Sequence, residues 1–222
     1  MISDNLQRLE EKIAACCLKS GRDRSEISLI AVSKTQRLEV IRECLEAGIT
    51  NFGENKAVEL YEKAAQSAGG FNWHFIGHLQ TNKVKFVINY VEFIHSVESI
   101  RVAEEINRRS LQINKKQKVL LEINTSGETS KFGLTDEKEI IGTAAYIRQC
   151  RGLGLVGLMT MAPYTDNSEV IKNCFVKLRV LKEKLNTEGF GLSELSMGMT
   201  NDFEIAIEEG ATMLRIGTAI FG

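Results

Sequence analysis

Lys34 is the residue best placed for covalent chemistry, because it closely follows the apolar run at residues 28–32. A lysine in this position lies in or beside the mouth of a sheet or barrel. Partial desolvation there would lower its pKa and free its amine to act as a nucleophile. Lysine is also common on protein surfaces, so position alone also allows a side chain that lies along the rim with its amine in water.

Small and hydroxyl-bearing residues follow the last two apolar runs of the chain. Ser196 and Gly198 come at the end of one run, and Gly217 and Thr218 follow the other. Such residues leave backbone N–H groups exposed, and loops at these two positions commonly bind phosphate in barrel proteins. The glycines could instead serve tight turns only, but the shared character of the two loops favours a phosphate site. Asn55, after an earlier run, could donate or accept hydrogen bonds at the same mouth.

A nucleophilic lysine beside a phosphate site fits two chemistries. One is a Schiff base with a phosphorylated sugar, as in a lysine-dependent aldolase, and the other is a Schiff base with pyridoxal phosphate. Arg215, two residues before Gly217, favours the second. A permanent cation that faces the pyridine nitrogen disfavours protonation of that nitrogen and weakens the ring as an electron sink.

Eight short apolar runs, separated by longer amphipathic stretches, indicate the fold class. They predict strands at residues 28–32, 49–52, 72–76, 93–96, 118–123, 153–159, 194–196 and 213–216. Eight strands alternating with helices in 222 residues predict a compact (β/α)8 TIM barrel, in a single domain over residues 1–222. An open doubly wound sheet is the alternative, but it usually has fewer strands at this length. In a barrel, chemistry is located where the strands end and the βα loops begin.

Apolar stripes and terminal signals predict the helices, including an extra helix at residues 5–19 before the first strand. The clearest stripe comprises Ile171, Cys174, Phe175, Leu178, Leu181 and Leu185. Residues 165–168 and 200–202 provide candidate amino-terminal caps. Gly48 and Gly210 occupy near-copies of one helix-end pattern, where glycine can adopt the left-handed conformation that stops a helix.

Composition excludes several function classes. The 28 Lys and Arg residues balance 29 Asp and Glu residues, so there is no electrostatic basis for broad nucleic-acid binding. No apolar stretch approaches the roughly 18 residues of a membrane span, and the first residues do not form a secretory signal, so we expect a cytoplasmic protein. The five cysteines form no C-x-x-C pair, which favours buried helix cysteines over a zinc site or disulfides. We expect His74 and His78 to be structural or pocket-lining, because a turn separates them.

Six motifs in order resemble the pyridoxal phosphate homeostasis proteins, also called the proline synthase co-transcribed homologue group. They are Ala31-Val32-Ser33-Lys34-Thr35, Phe52-Gly53-Glu54-Asn55, the segment 73–83, Gly157-Leu158-Met159, the segment 195–199 and the segment 215–222. The resemblance covers essentially the whole chain. It implies a barrel like the amino-terminal domain of alanine racemase, without the second domain of that enzyme.

The resemblance also implies roles for individual residues. Lys34 would form the Schiff base with pyridoxal phosphate, Arg215 would face the ring nitrogen, and Asn55 would line the ring pocket. The phosphate would be held by Ser196, Gly198, Gly217 and Thr218. Lys131 matches a second lysine that the family implicates in cofactor handling. Gln36-Arg37 departs from the lysine and proline that many members carry at this point, so no handover role is assigned to a lysine here.

The leading expectation is a non-catalytic protein that buffers or delivers pyridoxal phosphate to apoenzymes, as a monomer or weak dimer. Racemisation needs an acid or base on each face of the substrate. Alanine racemase takes a tyrosine from its second domain, and none of the four tyrosines in this sequence has a placement that suggests this role. The alternatives are a weak racemase or Schiff-base aldolase, and an interaction protein with a vestigial site.

Overall fold

A computed structural model describes residues 2–67 and 69–222, and in them eight parallel strands close into a barrel in chain order. The strands are β1 Ser28–Val32, β2 Asn51–Glu54, β3 Asn72–Phe75, β4 Val91–Val97, β5 Gln117–Glu122, β6 Leu153–Met159, β7 Glu194–Ser196 and β8 Met213–Ile216. The helices are α1 Ile2–Lys19, α2 Leu38–Glu46, α3 Ala57–Gln66, α4 Val84–Val87, α5 Ile100–Gln112, α6 Glu137–Gln149, α7 Ser168–Thr187, α8 Phe203–Glu208 and α9 Thr218–Phe221. The predicted (β/α)8 barrel is confirmed.

The strand predictions are closest where the apolar runs are sharply bounded. β1, β6, β7 and β8 have the predicted limits. β2 begins two residues later than predicted, at Asn51, because the N–H of Ile49 still donates to the carbonyl of Cys44 in the turn that ends α2 (3.0 Å). β4 begins two residues earlier than predicted, at Val91, which is buried and pairs with Trp73 of β3.

The helical stripes pack onto the barrel as expected. In α7, five of the six stripe residues are buried and Leu181 is partly buried. Gly48 and Gly210 both have positive φ, at 95° and 90°, and each follows the end of a helix. These two glycines therefore end α2 and α8 in the left-handed conformation, which residues with a Cβ rarely adopt.

One predicted cap is confirmed and the other is wrong. The side chain of Asn167 accepts hydrogen bonds from the N–H groups of Glu169 and Val170 in the first turn of α7. Asp202 precedes α8, but its carboxylate accepts the N–H of Met199, at 2.5 Å, and no N–H of that helix. Asp202 therefore closes the loop after β7 onto itself, which the Thr-Asn-Asp pattern does not reveal.

The extra amino-terminal helix, α1, packs against α8 and α9. Its buried face comprises Leu6, Leu9, Ile13 and Cys17. Asn5 donates a hydrogen bond to the carbonyl of Ile220 in α9 (3.0 Å), so α1 supports the last βα unit from outside. None of the helices in the described part of the chain is long and apolar enough to cross a membrane.

Candidate functional site

A cavity of about 810 Å³ opens at the carboxyl ends of the strands. Residues after β1, β2, β3, β6, β7 and β8 form its walls, which include Lys34, Asn55, Ile76, Gly77, Met161, Tyr164, Met199, Thr200, Asn201, Asp202, Arg215, Gly217 and Thr218. Five of the eight residues predicted to bind the cofactor therefore meet in one cavity. Ser196, Gly198 and Lys131 lie outside its lining.

Lys34 lies at the mouth of this cavity, in the turn after β1, and is exposed. Its Nζ makes no hydrogen bond or ion pair with any residue that the structure describes. The next residue, Thr35, has a φ of 66°, which is unusual for a threonine because its branched Cβ disfavours the left-handed region. The backbone turn is thus held in a strained form while the lysine amine is left free.

A buried charge network holds that turn in place. Ser33 donates to Glu54 Oε1 at 2.6 Å, and Lys63 donates to the same oxygen at 2.7 Å and to the carbonyl of Ser33 at 2.8 Å. Lys63 also bonds Glu59 (2.8 Å), whose carboxylate accepts the N–H of Thr35 (2.7 Å). Burial raises the pKa of Glu54, and the bonds from Lys63 and Ser33 oppose that rise. The network grips the backbone on both sides of Lys34 and leaves the lysine side chain untouched.

Asn55 reaches the cavity because the chain after β3 passes very close to it. A Cβ on Gly77 would lie 2.2 Å from the backbone oxygen of Asn55, so only glycine fits there. Asn55 Oδ1 is buried and has no hydrogen-bond partner in the described structure. A buried amide oxygen without a partner is costly, so this atom is suited to accept a hydrogen bond from a ligand in the cavity.

The loops after β7 and β8 contribute lining residues whose backbone N–H groups are unused. The N–H groups of Thr200, Asn201, Gly217 and Thr218 make no hydrogen bond with other described residues. The hydroxyl of Thr200 accepts the N–H of Ala219 (3.3 Å), which links the two loops. Free N–H groups on two adjoining loops are suited to bind an anion such as phosphate.

Arg215 lies between these loops and is 4% exposed. It donates to Ser196 Oγ at 2.6 Å and to the carbonyl of Thr160 at 2.8 Å. Burial lowers the pKa of Arg215 to about 10, while Asp202 and Glu122 favour its charged form, so it carries a positive charge at neutral pH. The cavity therefore has one fixed cation in its wall, in addition to the free amine of Lys34.

Ser196 and Gly198 lie behind the cavity wall. Ser196 is fully buried, and its hydroxyl contacts Arg215 and also His95 Nδ1 (2.9 Å). Gly198 has a φ of +96°, and a Cβ there would lie 2.7 Å from the Cβ of Ala206. In this structure, Ser196 contacts the arginine that faces the cavity and Gly198 allows a tight turn. The small-residue pattern alone does not distinguish these tasks from phosphate binding.

Lys131 stands beside the cavity. Its Nζ donates to the carbonyl of Ala162 (3.0 Å), which lines the cavity, and it pairs with Glu128 at 2.5 Å. The neighbouring Phe132 stacks on the ring of His78, with ring centres 4.0 Å apart. Lys131 thus contacts the backbone of the cavity wall, but its amine is occupied.

Several residues of the site carry no signal in the sequence that marks them as functional. His95 lies within the predicted fourth strand, Glu122 lies within the predicted fifth strand, and Lys63 lies on a helix face, so each resembles an ordinary residue of its strand or helix. Tyr164 lines the cavity and is 96% exposed, a placement that the sequence alone does not indicate. Its position depends on the loop after β6, whose course periodicity does not predict.

The fold and the cavity define a class of protein: a (β/α)8 barrel with a free lysine, two loops with unpaired backbone N–H groups and a buried arginine at its carboxyl end. The family model for the alanine racemase N-terminal domain matches residues 5–222. A pyridoxal phosphate homeostasis protein from Aquifex aeolicus is 42% identical over 99% of this chain and 96% of its own length. One from Escherichia coli K12 is 38% identical over 100% of this chain and 96% of its own length.

Solved structures agree with these sequence matches. The PipY protein of Synechococcus elongatus, solved with pyridoxal phosphate bound, is 30% identical, covers 100% of both chains and superimposes with a TM-score of 0.86. This chain belongs to the pyridoxal phosphate homeostasis protein family, whose barrel is that of the alanine racemase N-terminal domain. The resemblance seen in the sequence motifs is confirmed.

Proposed function

We propose that this protein binds pyridoxal 5'-phosphate covalently on Lys34 and buffers or delivers it to apoenzymes in vitamin B6 homeostasis, without robust catalysis. The observation that carries this proposal is the meeting of five predicted residues in one cavity: Lys34, Asn55, Arg215, Gly217 and Thr218. The names of the relatives and the pyridoxal phosphate bound to PipY support it.

The donor groups of the cavity fit this cofactor. Pyridoxal phosphate supplies an aldehyde that condenses reversibly with a primary amine. Lys34 provides a free amine, the amides of Thr200 and Gly217 and their neighbours suit the phosphate, and Asn55 Oδ1 needs a donor. Arg215 places a positive charge in the wall, and a cation facing the ring nitrogen keeps that nitrogen unprotonated.

The exposure of Lys34 suits a carrier better than an enzyme. Enzymes that depend on this cofactor enclose it to exclude water and to direct the reaction. Here the anchoring amine is exposed at the mouth of an open cavity, where the cofactor can enter and leave. Lys131 lies at the cavity edge, where it could assist that exchange once its bond to Glu128 is released.

We propose that residues 1–222 act as one cofactor-binding domain in the cytoplasm, as a monomer or weak dimer. The partners would be pyridoxal phosphate and recipient apoenzymes, with no nucleic acid and no membrane. The balanced charge of the chain supports this set of partners.

Borohydride trapping followed by peptide mass spectrometry tests the anchor. Wild type, Lys34→Ala and Lys131→Ala are each mixed with equimolar pyridoxal phosphate, reduced and digested. We expect the phosphopyridoxyl mass on Lys34 in wild type and in Lys131→Ala, and no specific adduct in Lys34→Ala. Equal labelling of many lysines in wild type would contradict the proposal.

Enantiomer analysis and cofactor transfer test the non-catalytic role. The loaded protein is incubated with L-alanine or L-serine, and Tyr164→Phe serves as the comparison because Tyr164 is the tyrosine at the cavity. We expect turnover far below that of a true racemase in both proteins, and recovery of activity when loaded protein is added to an apoenzyme. A racemisation rate that decreases in the Tyr164→Phe variant would instead favour the weak racemase.

A further inference from the structure

A chain of hydrogen bonds runs from Arg215 through the interior of the barrel. Ser196 Oγ lies 2.6 Å from Arg215 Nη1 and 2.9 Å from His95 Nδ1. His95 Nε2 lies 3.0 Å from His74 Nδ1, and His74 Nε2 lies 3.4 Å from Asn51 Oδ1. Ser196 is on β7 and His95 is on β4, which are not neighbours in the barrel, so this contact crosses its interior.

The direction of every hydrogen bond in this chain follows from Arg215. A guanidinium can only donate, so Ser196 accepts from it. Ser196 is fully buried, and donation to His95 Nδ1 is the arrangement that gives its hydroxyl proton an acceptor. A neutral His95 then carries its proton on Nε2 and donates to His74 Nδ1, and His74 in turn donates from Nε2 to Asn51. Burial lowers the pKa of His74 to about 4 and that of His95 well below its ordinary value, so both rings are neutral at pH 7.

The chain takes the place of a direct counterion. Arg215 makes no ion pair within 4.0 Å in the described residues, although Asp202 and Glu122 are close enough to favour its charged form. Every donor in the chain points away from Arg215, so every acceptor end points toward it and stabilises the cation. A carboxylate in direct contact would neutralise the charge that the cavity presents. A chain of neutral groups holds the guanidinium without cancelling its charge.

We propose that Ser196, His95 and His74 are positioning residues that hold Arg215 toward the cavity and preserve its positive charge, and so keep the ring nitrogen of a bound pyridoxal phosphate unprotonated. This inference rests on the proposed function for its effect on the cofactor. The arrangement of the chain itself does not depend on the cofactor. A relay of protons is not implied, because the chain ends on a guanidinium that keeps its protons.

Histidine NMR of the wild-type protein without cofactor tests the arrangement of the chain directly. The sequence has three histidines, His74, His78 and His95, so His78, which is outside the chain, serves as the internal reference. We expect His74 and His95 to be neutral Nε2–H tautomers across pH 6 to 8, with slowly exchanging ring protons. A Nδ1–H tautomer or a charged ring at either position would overturn the proposal, whether or not pyridoxal phosphate binds.

The effect on the cofactor is tested with pyridoxal phosphate labelled with ¹⁵N in the ring. Ser196→Ala removes the link and Ser196→Thr keeps a hydroxyl. Ser96→Ala is the control, because the buried hydroxyl of Ser96 on β4 has no hydrogen-bond partner among the described residues. We expect Ser196→Ala to raise the Kd about tenfold and to move the ring-nitrogen shift toward the protonated value, with Ser196→Thr restoring much of both. Ser96→Ala should match wild type.

Two outcomes separate this inference from the proposed function. Wild-type binding together with an unchanged ring-nitrogen shift in Ser196→Ala would overturn the positioning role and leave the carrier function standing. Failure of wild type to bind pyridoxal phosphate would overturn the proposed function and the effect on the cofactor. If Ser196→Ala does not fold, Ser196→Cys, a weaker hydrogen-bonding side chain of similar shape, provides the same comparison, with an intermediate shift expected and a wild-type shift contradicting the role.

Discussion

The two basic residues of the cavity, Lys34 and Arg215, are held in opposite ways. Lys34 is exposed, its backbone is gripped on both sides by the Glu54, Glu59 and Lys63 network, and its amine has no partner in the described structure. Arg215 is 4% exposed, and its guanidinium is bonded to Ser196 and Thr160. A side chain that must form and break a covalent bond needs a fixed backbone and a free terminal group. A side chain that sets the charge of the cavity needs its charged group held in place.

The largest expected effect on stability comes from breaking the network under Lys34. Lys63→Met leaves Glu54, which is fully buried, without its counterion. We expect a loss of about 3 kcal/mol in the free energy of unfolding, because removing one partner of a buried ion pair leaves the other as an uncompensated charge in an apolar environment. Urea unfolding measures this loss. Lys56→Met, at an exposed position before the same helix, should change stability by less than about 0.5 kcal/mol.

An unchanged midpoint and slope in Lys63→Met would show that the network does not hold the turn. In that case the positive φ of Thr35 would need another support.

A second effect, on the Arg215 side, depends on pH. Burial, and then the nearby Glu98, raises the pKa of Glu122 to about 7, while Arg215 opposes the rise. The folded protein therefore holds a proton that the unfolded chain releases above about pH 4.5, so this group makes stability fall as pH rises from about 4.5 to 7. We expect Glu122→Gln to remove that loss. Between pH 5 and pH 8, the free energy of unfolding of wild type should therefore fall by about 2 to 3 kcal/mol more than that of Glu122→Gln.

Urea unfolding of wild type and Glu122→Gln at pH 5, 6.5 and 8 measures the difference. Glu188→Gln, at an exposed position after α7, is the matched control and should follow wild type at every pH. A parallel pH dependence in wild type and Glu122→Gln would mean that Glu122 is ionised in the fold, with the charge of Arg215 outweighing the effect of burial.

The smallest expected effect on stability is at Lys34 itself. Lys34→Met removes an exposed side chain that has no hydrogen-bond or ion-pair partner in the described part of the chain, so the free energy of unfolding should stay within about 0.5 kcal/mol of wild type. The covalent adduct should nevertheless disappear completely. Thermal unfolding and borohydride trapping on the same samples check both statements. A strongly destabilised Lys34→Met would show that the amine has a structural task that contradicts its free state.

Most of the fold follows from the sequence because barrel strands in this chain are short, apolar and sharply bounded. The limits of β1, β6, β7 and β8 are predicted, and Gly48 and Gly210 mark the ends of two helices as expected. Five cavity residues are predicted because four of them follow strand ends and the fifth, Arg215, lies near the end of β8. They are Lys34, Asn55, Arg215, Gly217 and Thr218.

The rest of the site depends on which side chains cross the barrel, and sequence spacing does not contain that information. His95 and Ser196 are 101 residues apart, and their contact requires that β4 and β7 face each other across the closed barrel. The contacts of Lys63 also depend on the tertiary structure, because its side chain extends from α3 to Ser33 and Glu54 at the ends of β1 and β2. Small residues near phosphate loops resemble one another whatever their side chains contact, so the sequence alone does not reveal the hydrogen bond from Arg215 to Ser196.

Crystal structures of the protein with and without pyridoxal phosphate test the contrast between the two basic residues most directly. We predict that Lys34 Nζ becomes continuous with the cofactor. We also predict that Arg215 keeps its bonds to Ser196 and Thr160 unchanged and faces the ring. An Arg215 side chain that moves to a new position on binding, or a cofactor held away from Lys34, would contradict this contrast between the two residues.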